Sequence, residues 1–197
     1  RVTAMAQTRD GSIWLGCNDM LHQFDRDHQH ARSLSTRAGM TQMLLASSDG
    51  SLWAATGDGL YLLRPAARTL LRIAVRGSGL PLQGAVHVLA EAPDRSIWVG
   101  TVQGLFRIAA GEHDLVPVRS PKGAGLGNPS VAGLLFDRQN ILWVDTGVAG
   151  LHRMSRWDGR EASFERISER HGIVNRPFGA NLFDDGRGRI WTQIGVY

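Results

Sequence analysis

Short apolar segments alternate with polar turns along this chain, and the alternation repeats. A typical unit begins with an apolar segment, such as residues 43–46 or 86–90, and continues through a polar turn into a second segment that contains a tryptophan. An apolar residue stands immediately before each tryptophan, which breaks the period of two expected of a strand with one side in water. We therefore predict strands that are covered on both faces, as in stacked sheets.

The second segment recurs five times, and its tryptophans are separated by 39, 45, 45 and 48 residues. A turn and a third segment led by leucine follow, at residues 60–63 for example. Weaker fourth segments lie at residues 69–73, 114–118 and 163–167. Four short strands in each period of about 45 residues are typical of a β-propeller blade, and no stretch shows a helical apolar period. The recurring residues are Trp14, Trp53, Trp98, Trp143 and Trp191.

The fold predicted from this repeat is all-β, with four-stranded antiparallel blades in a partial propeller of about four to five blades. A single domain spans residues 1–197, with approximate repeats at 1–39, 40–84, 85–129, 130–176 and a truncated 177–197. A ring of seven such blades needs roughly 315 residues. Because an open arc would leave an apolar blade face uncovered at each end, we expect it to pair with another copy or to be completed by sequence outside this chain.

The polar turn between the first two strands of a repeat has its own signature. Asp-Gly, at residues 10–11 and 49–50, is a strong signal for a two-residue hairpin turn in which both central residues have positive φ. The fourth repeat has Gln139 and Asn140 instead, and asparagine tolerates that conformation. A tight turn is therefore predicted in these repeats.

The five recurring tryptophans are interpreted as packing residues. A residue required once per blade is more typical of contacts between blades than of stacking on a sugar. Trp157 differs, because it lies out of register in a segment that we predict to be a turn. It is therefore a candidate for an exposed, ligand-binding aromatic residue. The alternative is an ordinary anchor for the loop.

Asp145 lies two residues after its tryptophan, where other repeats have Gly16, Ala55 or Gly100. A carboxylate in this slot needs a partner, because an unpaired buried charge is costly. An arginine of a neighbouring blade could provide that partner. Alternatively, Asp145 belongs to a ligand-lining surface near the central channel, and it is our second candidate for a ligand-binding residue.

Composition narrows the classes of function. The formal net charge is +4 and the pI about 10.2, but the arginines are scattered through every repeat, and nucleic-acid binding is not predicted. The apolar runs are shorter than the ~20 residues of a membrane span. Cys17 is the only cysteine, which excludes an internal disulfide. Other repeats have threonine at its position, so we predict a small buried strand residue.

Motifs for chemistry are missing from the sequence. It contains no nucleophile elbow, no zinc-protease motif and no phosphate loop. His28 and His30 could face the same side of a strand, but no third ligand accompanies them at a fixed spacing. No catalytic residue, metal or cofactor is therefore predicted.

The repeat phrase resembles a known family. Its best copy, residues 94–107, reads D-R-S-I-W-V-G-T-V-Q-G-L-F-R and is similar to the two-component regulator propeller repeat. Residues 79–81 and 171–175 look like the lead-in that this family has before the next blade. Asp145 and Gln193 depart from the pattern, because they replace its glycine.

The resemblance implies a non-catalytic, extracytoplasmic sensor region of a bacterial signalling receptor, located in the periplasm. It also implies a membrane helix and a histidine kinase or diguanylate cyclase output module in segments outside this chain. The expected partner is an unidentified small ligand or an oligosaccharide.

Two other functions stay open on the same fold. One is a propeller enzyme of the streptogramin-lyase or glycosidase type, which a His/Glu pair facing one central cavity would favour. The other is a scaffold for protein–protein interaction, which an exposed flat apolar patch without a pocket would favour.

Overall fold

The computed structural model of the chain describes residues 1–27, 29–126, 130–147, 149–171 and 178–194. In these residues the chain forms four four-stranded antiparallel sheets, each with its strands in chain order, and one final two-stranded hairpin. We call the sheets blades 1 to 4 and the hairpin blade 5. The predicted all-β architecture of four-stranded antiparallel blades is confirmed. The one helical element in the described residues is a 3-10 turn at Glu169–His171.

The strands of blades 1 and 2 are β1 Ala4–Gln7, β2 Ile13–Cys17, β3 Met20–Phe24, β4 His30–Ser35, β5 Thr41–Ala46, β6 Leu52–Thr56, β7 Gly59–Leu63 and β8 Leu71–Arg72. Those of blades 3 to 5 are β9 Val86–Glu91, β10 Ile97–Thr101, β11 Gly104–Ile108, β12 Val116–Pro117, β13 Gly133–Phe136, β14 Leu142–Asp145, β15 Leu151–Trp157, β16 Ala162–Arg166, β17 Phe178–Asp184 and β18 Ile190–Ile194. The fourth strands β8 and β12 have only two residues each and are shorter than predicted.

The hairpin loop between the first two strands is longer than the sequence suggests. In blade 1 the Gly11 amide donates to the Thr8 carbonyl at 2.9 Å, and the Thr8 amide donates to the Ser12 carbonyl at 3.0 Å. This is a three-residue loop, a type I turn followed by one left-handed residue. Positive φ occurs at Gly11 and not at Asp10, so the predicted two-residue turn is wrong.

Blades 2 to 4 have the same loop. Its left-handed position is occupied by Gly50, Arg95 and Asn140, with φ of 87°, 64° and 63°. The aspartate of the Asp-Gly pair acts as a cap instead, because Asp49 accepts hydrogen bonds from the Ser51 amide and hydroxyl. In blade 4 the acid lies two residues earlier, and Asp137 accepts from the indole nitrogen of Trp143 at 2.8 Å.

The hydrophobic core lies between neighbouring blades and is divided into junctions, which we name by the blades they join. Trp14 is buried in junction 1/2, Trp53 in junction 2/3 and Trp98 in junction 3/4. Trp143 is half-buried in junction 4/5. Trp191, on the hairpin of blade 5, is 55% exposed. Each of the first four indoles thus packs towards the next blade along the chain.

Strand burial follows from this arrangement. Every residue of β6 and β10 is buried, as predicted for strands with a sheet on both sides. In β2 burial alternates, because one face of blade 1 has no sheet against it in the described residues. Cys17 lies on that face and is half-buried, so the prediction of a buried residue is wrong. Its counterparts Thr56 and Thr101 face the preceding blade and are buried.

Side chains account for most of the contact between blades. Apart from isolated bridges such as Val75 with Leu115, the described sheets share no backbone ladder. The backbone bonds that cross between blades come from linkers, as where the Val131 amide donates to the Thr101 carbonyl at 2.9 Å.

Candidate functional site

The clearest candidate site is a cleft between blades 2 and 3. It opens at one end of the sheets. At this end the first strand of a blade turns into the second and the third turns into the fourth, and we call it the hairpin end. The cleft has a volume of about 460 Å³. A smaller cleft of about 270 Å³ lies at the same end between blades 1 and 2. A volume of a few hundred Å³ is in the range of small-molecule sites.

Small residues of blade 3 leave the 2/3 cleft open. Its outer wall is formed by Ala109, Ala110 and Gly111, which follow β11. Blade 4 has Trp157 in the place of Ala110. This correspondence follows from the registers, in which Trp98 pairs with Arg107 and Trp143 with Arg153, and from one extra residue at a bulge after Met154.

Trp157 fills the corresponding space in junction 3/4. Its ring lies 5.1 Å from that of Trp98, edge to face, and the Arg107 guanidinium lies 5.5 Å from its centroid. Phe136 also packs against Trp98, at 6.2 Å. The predicted turn at Trp157 is wrong: it is the last residue of β15, because the bulge extends this strand. The side chain is half-buried against blade 3.

The floor of the 2/3 cleft is apolar and its walls are polar. Trp53, Leu62, Ile97 and Ile108 form the floor, and the Trp53 indole nitrogen donates to the Ser47 hydroxyl at 3.2 Å. The polar residues of the walls and mouth are Ser47, Asp49, Ser51, Arg64, Glu91, Arg95, Glu112 and His113. An apolar surface with a few polar groups around it is the usual composition of a small-molecule site.

The carboxylates of the cleft are held by neighbouring donors. Burial opposes the ionisation of Asp49, but hydrogen bonds from Ser47 and Ser51 together outweigh it and hold its pKa below the ordinary value. Glu91 accepts hydrogen bonds from the amide and hydroxyl of Ser48, across the boundary between the two blades. Glu112 forms an ion pair with Arg76. All three acids therefore have a hydrogen-bond or ion-pair partner.

The arginines at the mouth of the cleft are less constrained. Arg64 and Arg95 are exposed, and neither forms an ion pair within the part of the chain that the structure describes. The cleft therefore combines carboxylates that have hydrogen-bond or ion-pair partners with exposed arginines that form no ion pair among the described residues.

Asp145 lies at the opposite end of blade 4. Its side chain is fully buried, and its Oδ1 accepts a hydrogen bond from the Gly147 amide at 2.7 Å. Oδ2 has no partner among the described residues. Burial raises the pKa of this carboxyl, and the Gly147 hydrogen bond only partly opposes the effect. No described arginine pairs with it, so the expected ion pair is not found there.

The slot that Asp145 occupies lies close to the next blade in blades 1 and 3. A side chain at Gly16 would meet Thr41 of the next blade, and one at Gly100 would meet Val131. His28 and residues 172–175 of the predicted lead-in lie outside the described residues.

The structure does not bring the two predicted site residues together. Asp145 pairs with Leu151 at one end of blade 4, whereas Trp157 pairs with Ala162 at the hairpin end. Sequence reasoning missed the 2/3 cleft. Aligning the repeats beyond the third strand, where blade 3 has Ala110 and blade 4 has Trp157, would have provided the signal.

Histidines form one further cluster, on the open face of blade 1. The Ser33 hydroxyl lies 2.8 Å from Nδ1 of His22 and 2.9 Å from Nε2 of His30. Among the described residues, no three or more His, Cys, Asp or Glu side chains are arranged to hold a metal ion. Nor does any helix in that part of the chain have the length and apolar character needed to cross a membrane.

Comparison with known proteins confirms the resemblance found in the sequence. Residues 1–19 match the family model described as Two component regulator propeller. No curated protein matches the chain.

Solved structures show the fold. The chain resembles the extracellular domain assigned to a hybrid two component system of B. thetaiotaomicron, with 17% identity and a TM-score of 0.78 over 97% of this chain and 25% of that one. Virginiamycin B lyase of Staphylococcus aureus has 13% identity and a TM-score of 0.71, over 98% of this chain and 63% of the lyase.

PorZ, a surface component of the type-IX secretion system of Porphyromonas gingivalis, has 16% identity and a TM-score of 0.74, over 98% of this chain and 30% of PorZ. The chain thus spans about a quarter of the first of these proteins. The partial propeller predicted from the repeats is confirmed.

Proposed function

We propose that this chain is a non-catalytic, ligand-binding part of the extracytoplasmic propeller of a bacterial signal-transduction receptor. The single observation that supports ligand binding is the 2/3 cleft of about 460 Å³, with its apolar floor and polar walls. The receptor class is supported by the likeness to extracellular domains assigned to two component systems and by the family match at residues 1–19.

The position of the cleft suggests how binding could be transmitted. Both blades contribute to it, Trp53 and Asp49 from blade 2, Ala110 and Glu91 from blade 3. A ligand held between them would favour one packing of junction 2/3 over another. It can shift that equilibrium only by its difference in affinity for the two arrangements. In the proposed receptor, the membrane segment and the output module lie outside this chain.

The test is a binding screen with a blocking variant. Oligosaccharides, amino acids and aromatic amines are tested by thermal shift and then by calorimetry against the chain and against Ala110→Trp. We expect one class to bind the wild type and to bind at least tenfold more weakly to the variant. Binding that is unchanged in Ala110→Trp would exclude this cleft, and no binding by any class would overturn the ligand-binding proposal.

The periplasmic location is tested on the full receptor. Protease added to spheroplasts is expected to remove the propeller, whereas protection from the protease would contradict an extracytoplasmic position.

A lyase is the second candidate. It is supported by the fold shared with virginiamycin B lyase and by His113, which lines the same cleft as Glu91. This cleft lies between two blades, however, and not at a central cavity. Incubation with virginiamycin B, followed by mass spectrometry, tests the candidate. Turnover that is lost in His113→Ala would favour the enzyme over the sensor.

Self-association is the remaining part of the proposal. Met5 is 68% exposed on the open face of blade 1, and Phe183 is 63% exposed beside Trp191 on blade 5. Inside the molecule, faces of these two kinds pack together at every junction. We therefore expect light scattering to show dimers or larger species. A monomer at all concentrations would contradict this part, and association unaffected by Met5→Asp would point to another surface, as in the scaffold alternative.

A further inference from the structure

We propose that the 2/3 cleft takes a flat aromatic ring that carries an ammonium group, that is, an aromatic amine of about the size of tryptamine. This inference rests on the proposed ligand-binding function and names the chemical class of the ligand. It comes from comparing the cleft with junction 3/4, where the chain fills the same space with one of its own side chains.

Junction 3/4 shows what kind of group fits such a space. There the indole of Trp157 lies edge to face against Trp98, at 5.1 Å. In junction 2/3 the counterpart of Trp98 is Trp53, and the counterpart of Trp157 is Ala110. The floor that would receive an aromatic ring is therefore present, whereas the ring itself is missing from the chain. Edge-to-face contact is a preferred geometry for such rings.

Two further differences between the junctions concern charge. Where junction 3/4 has Arg107, beneath the face of Trp157, junction 2/3 has the neutral Leu62. Where junction 3/4 has Phe136, junction 2/3 has Glu91. These two changes make the part of the cleft beside Trp53 more negative, whereas Arg64 and Arg95, where junction 3/4 has Ala109 and Asn140, add positive charge at the exposed mouth.

Glu91 is suited to binding a cation. It is held in place by the amide and hydroxyl of Ser48, and a carboxylate has further lone pairs with which to accept from an ammonium group. A ring on Trp53 that bears an amine directed towards Glu91 would satisfy both features. Arg64 and Arg95, at the exposed mouth, would instead favour an anion, and the experiment must separate these two effects.

The first experiment compares three indoles that differ only in charge: tryptamine, neutral indole and the anion indole-3-acetate. We expect tryptamine to bind the wild-type chain with a Kd below about 1 mM, and at least tenfold more tightly than indole-3-acetate. Tighter binding of the anion would show that the arginines dominate, and would overturn the proposal.

Variants then locate the site. Ala110→Trp should abolish tryptamine binding, because it places in the cleft the side chain that blade 4 has at the same position. Val102→Trp, which adds the same side chain in the exposed turn at the opposite end of blade 3, is the matched control and should bind normally. Glu91→Gln should weaken tryptamine at least tenfold and leave neutral indole unchanged.

Trp157→Ala gives an independent reading. It empties the space in junction 3/4 between Trp98 and Arg107, so neutral indole should raise its melting temperature by several degrees more than that of the wild type. If indole binds this variant while tryptamine does not bind the wild type, the 2/3 cleft is not an aromatic-amine site. If another ligand from the screen binds and Ala110→Trp blocks it, the sensor proposal survives and only this inference fails.

Discussion

Junctions 2/3 and 3/4 are built from the same repeat but differ in what occupies their hairpin ends. In junction 3/4 the rings of Phe136 and Trp157 both pack against Trp98, and Arg107 lies against the face of Trp157. In junction 2/3 Trp53 lies beneath a cleft of about 460 Å³. The difference comes mainly from one position at the hairpin end of the third strand, which is Trp157 in blade 4 and Ala110 in blade 3.

This comparison separates the requirements of the fold from those of a site. Both junctions keep the buried indole, the apolar strand residues and the capped hairpin loop, which are what each blade needs in order to pack. The residues that differ lie at the hairpin end, where a cavity does not interrupt the strand ladders. A repeat fold can thus open a binding space at one junction while its neighbour stays filled.

Removing the central indole of each junction should give the largest effect. Trp98→Ala should lower the free energy of unfolding by about 3–5 kcal/mol, as expected for a large aromatic residue in a packed core. Trp53→Ala should cost less, because part of its surroundings is already open. Trp191→Ala, at an exposed site, should cost less than about 1 kcal/mol. Equal losses for Trp98 and Trp53 in urea denaturation would contradict the contrast between the junctions.

The next test is a methyl group at the end of each junction that lies opposite the hairpin end. A Cβ at Gly100 would lie 2.6 Å from Val88 and from Val131, closer than packed atoms can approach. Gly100→Ala should therefore cost about 1–3 kcal/mol through overpacking.

The matched control comes from junction 2/3, which already has Ala55, fully buried, in the same slot. Ala55→Gly should lose about 1–2 kcal/mol, through chain entropy and the loss of one buried methyl group. If Gly100→Ala leaves the free energy of unfolding unchanged, junction 3/4 is more loosely packed at this end than the distances indicate.

A pH-dependent effect on stability is expected from Asp145 in blade 4. Because burial raises the pKa of Asp145 above its ordinary value of 3.8, the carboxyl binds a proton more strongly in the folded state than in the unfolded state. The contribution of Asp145 to the stability of the wild type should therefore fall as the pH rises from about 3.8 through the raised value. Asp145→Asn lacks this penalty and keeps the Oδ1 acceptor for Gly147.

The measurement is the melting temperature of both proteins between pH 3.5 and 8. The advantage of Asp145→Asn should be greatest at neutral pH and disappear in acid. A difference that does not depend on pH would show that the carboxyl is not desolvated as its position suggests.

The smallest effect is expected at the mouth of the 2/3 cleft. Arg95 has φ of 64°, where blades 1 and 2 have glycine. Arg95→Gly should stabilise the chain by up to about 1 kcal/mol, because relief of the left-handed strain exceeds the entropy cost of glycine. Gly50→Arg is the reverse change and should destabilise by a similar amount. If Arg95→Gly is destabilising in urea titrations, the arginine has a packing role at the cleft.

The sequence was sufficient for the repeating parts of this fold. The tryptophan phrase and the leucine-led third strand predicted the antiparallel blades, because their spacing is fixed by strand length and by the pairing of Trp53 with Leu62. Turn geometry was less accessible. Asp-Gly fits both a two-residue and a three-residue loop, and only the hydrogen bonds between Thr8 and Ser12 distinguish them.

Features that depend on a single blade could not be predicted. The bulge after Met154 adds one residue to β15, so that Trp157 lies in this strand and not in a turn. No local sequence pattern indicates this bulge. The cleft arises from the absence of a large side chain at Ala110, which becomes visible only once the registers of two blades are known. Burial of Cys17 was mispredicted because it depends on the neighbouring sheet and not on the strand itself.

The closed hydrogen bonding of each sheet has an evolutionary consequence. Since the ladders stay within one blade, a duplication or deletion of about 45 codons would add or remove a whole unit and leave every remaining ladder intact. Selection then has only to repair the side chains on the two surfaces that become new neighbours. A gene of this kind can lengthen or shorten in whole units, and each copy can afterwards gain or lose its own recess by changing one small residue.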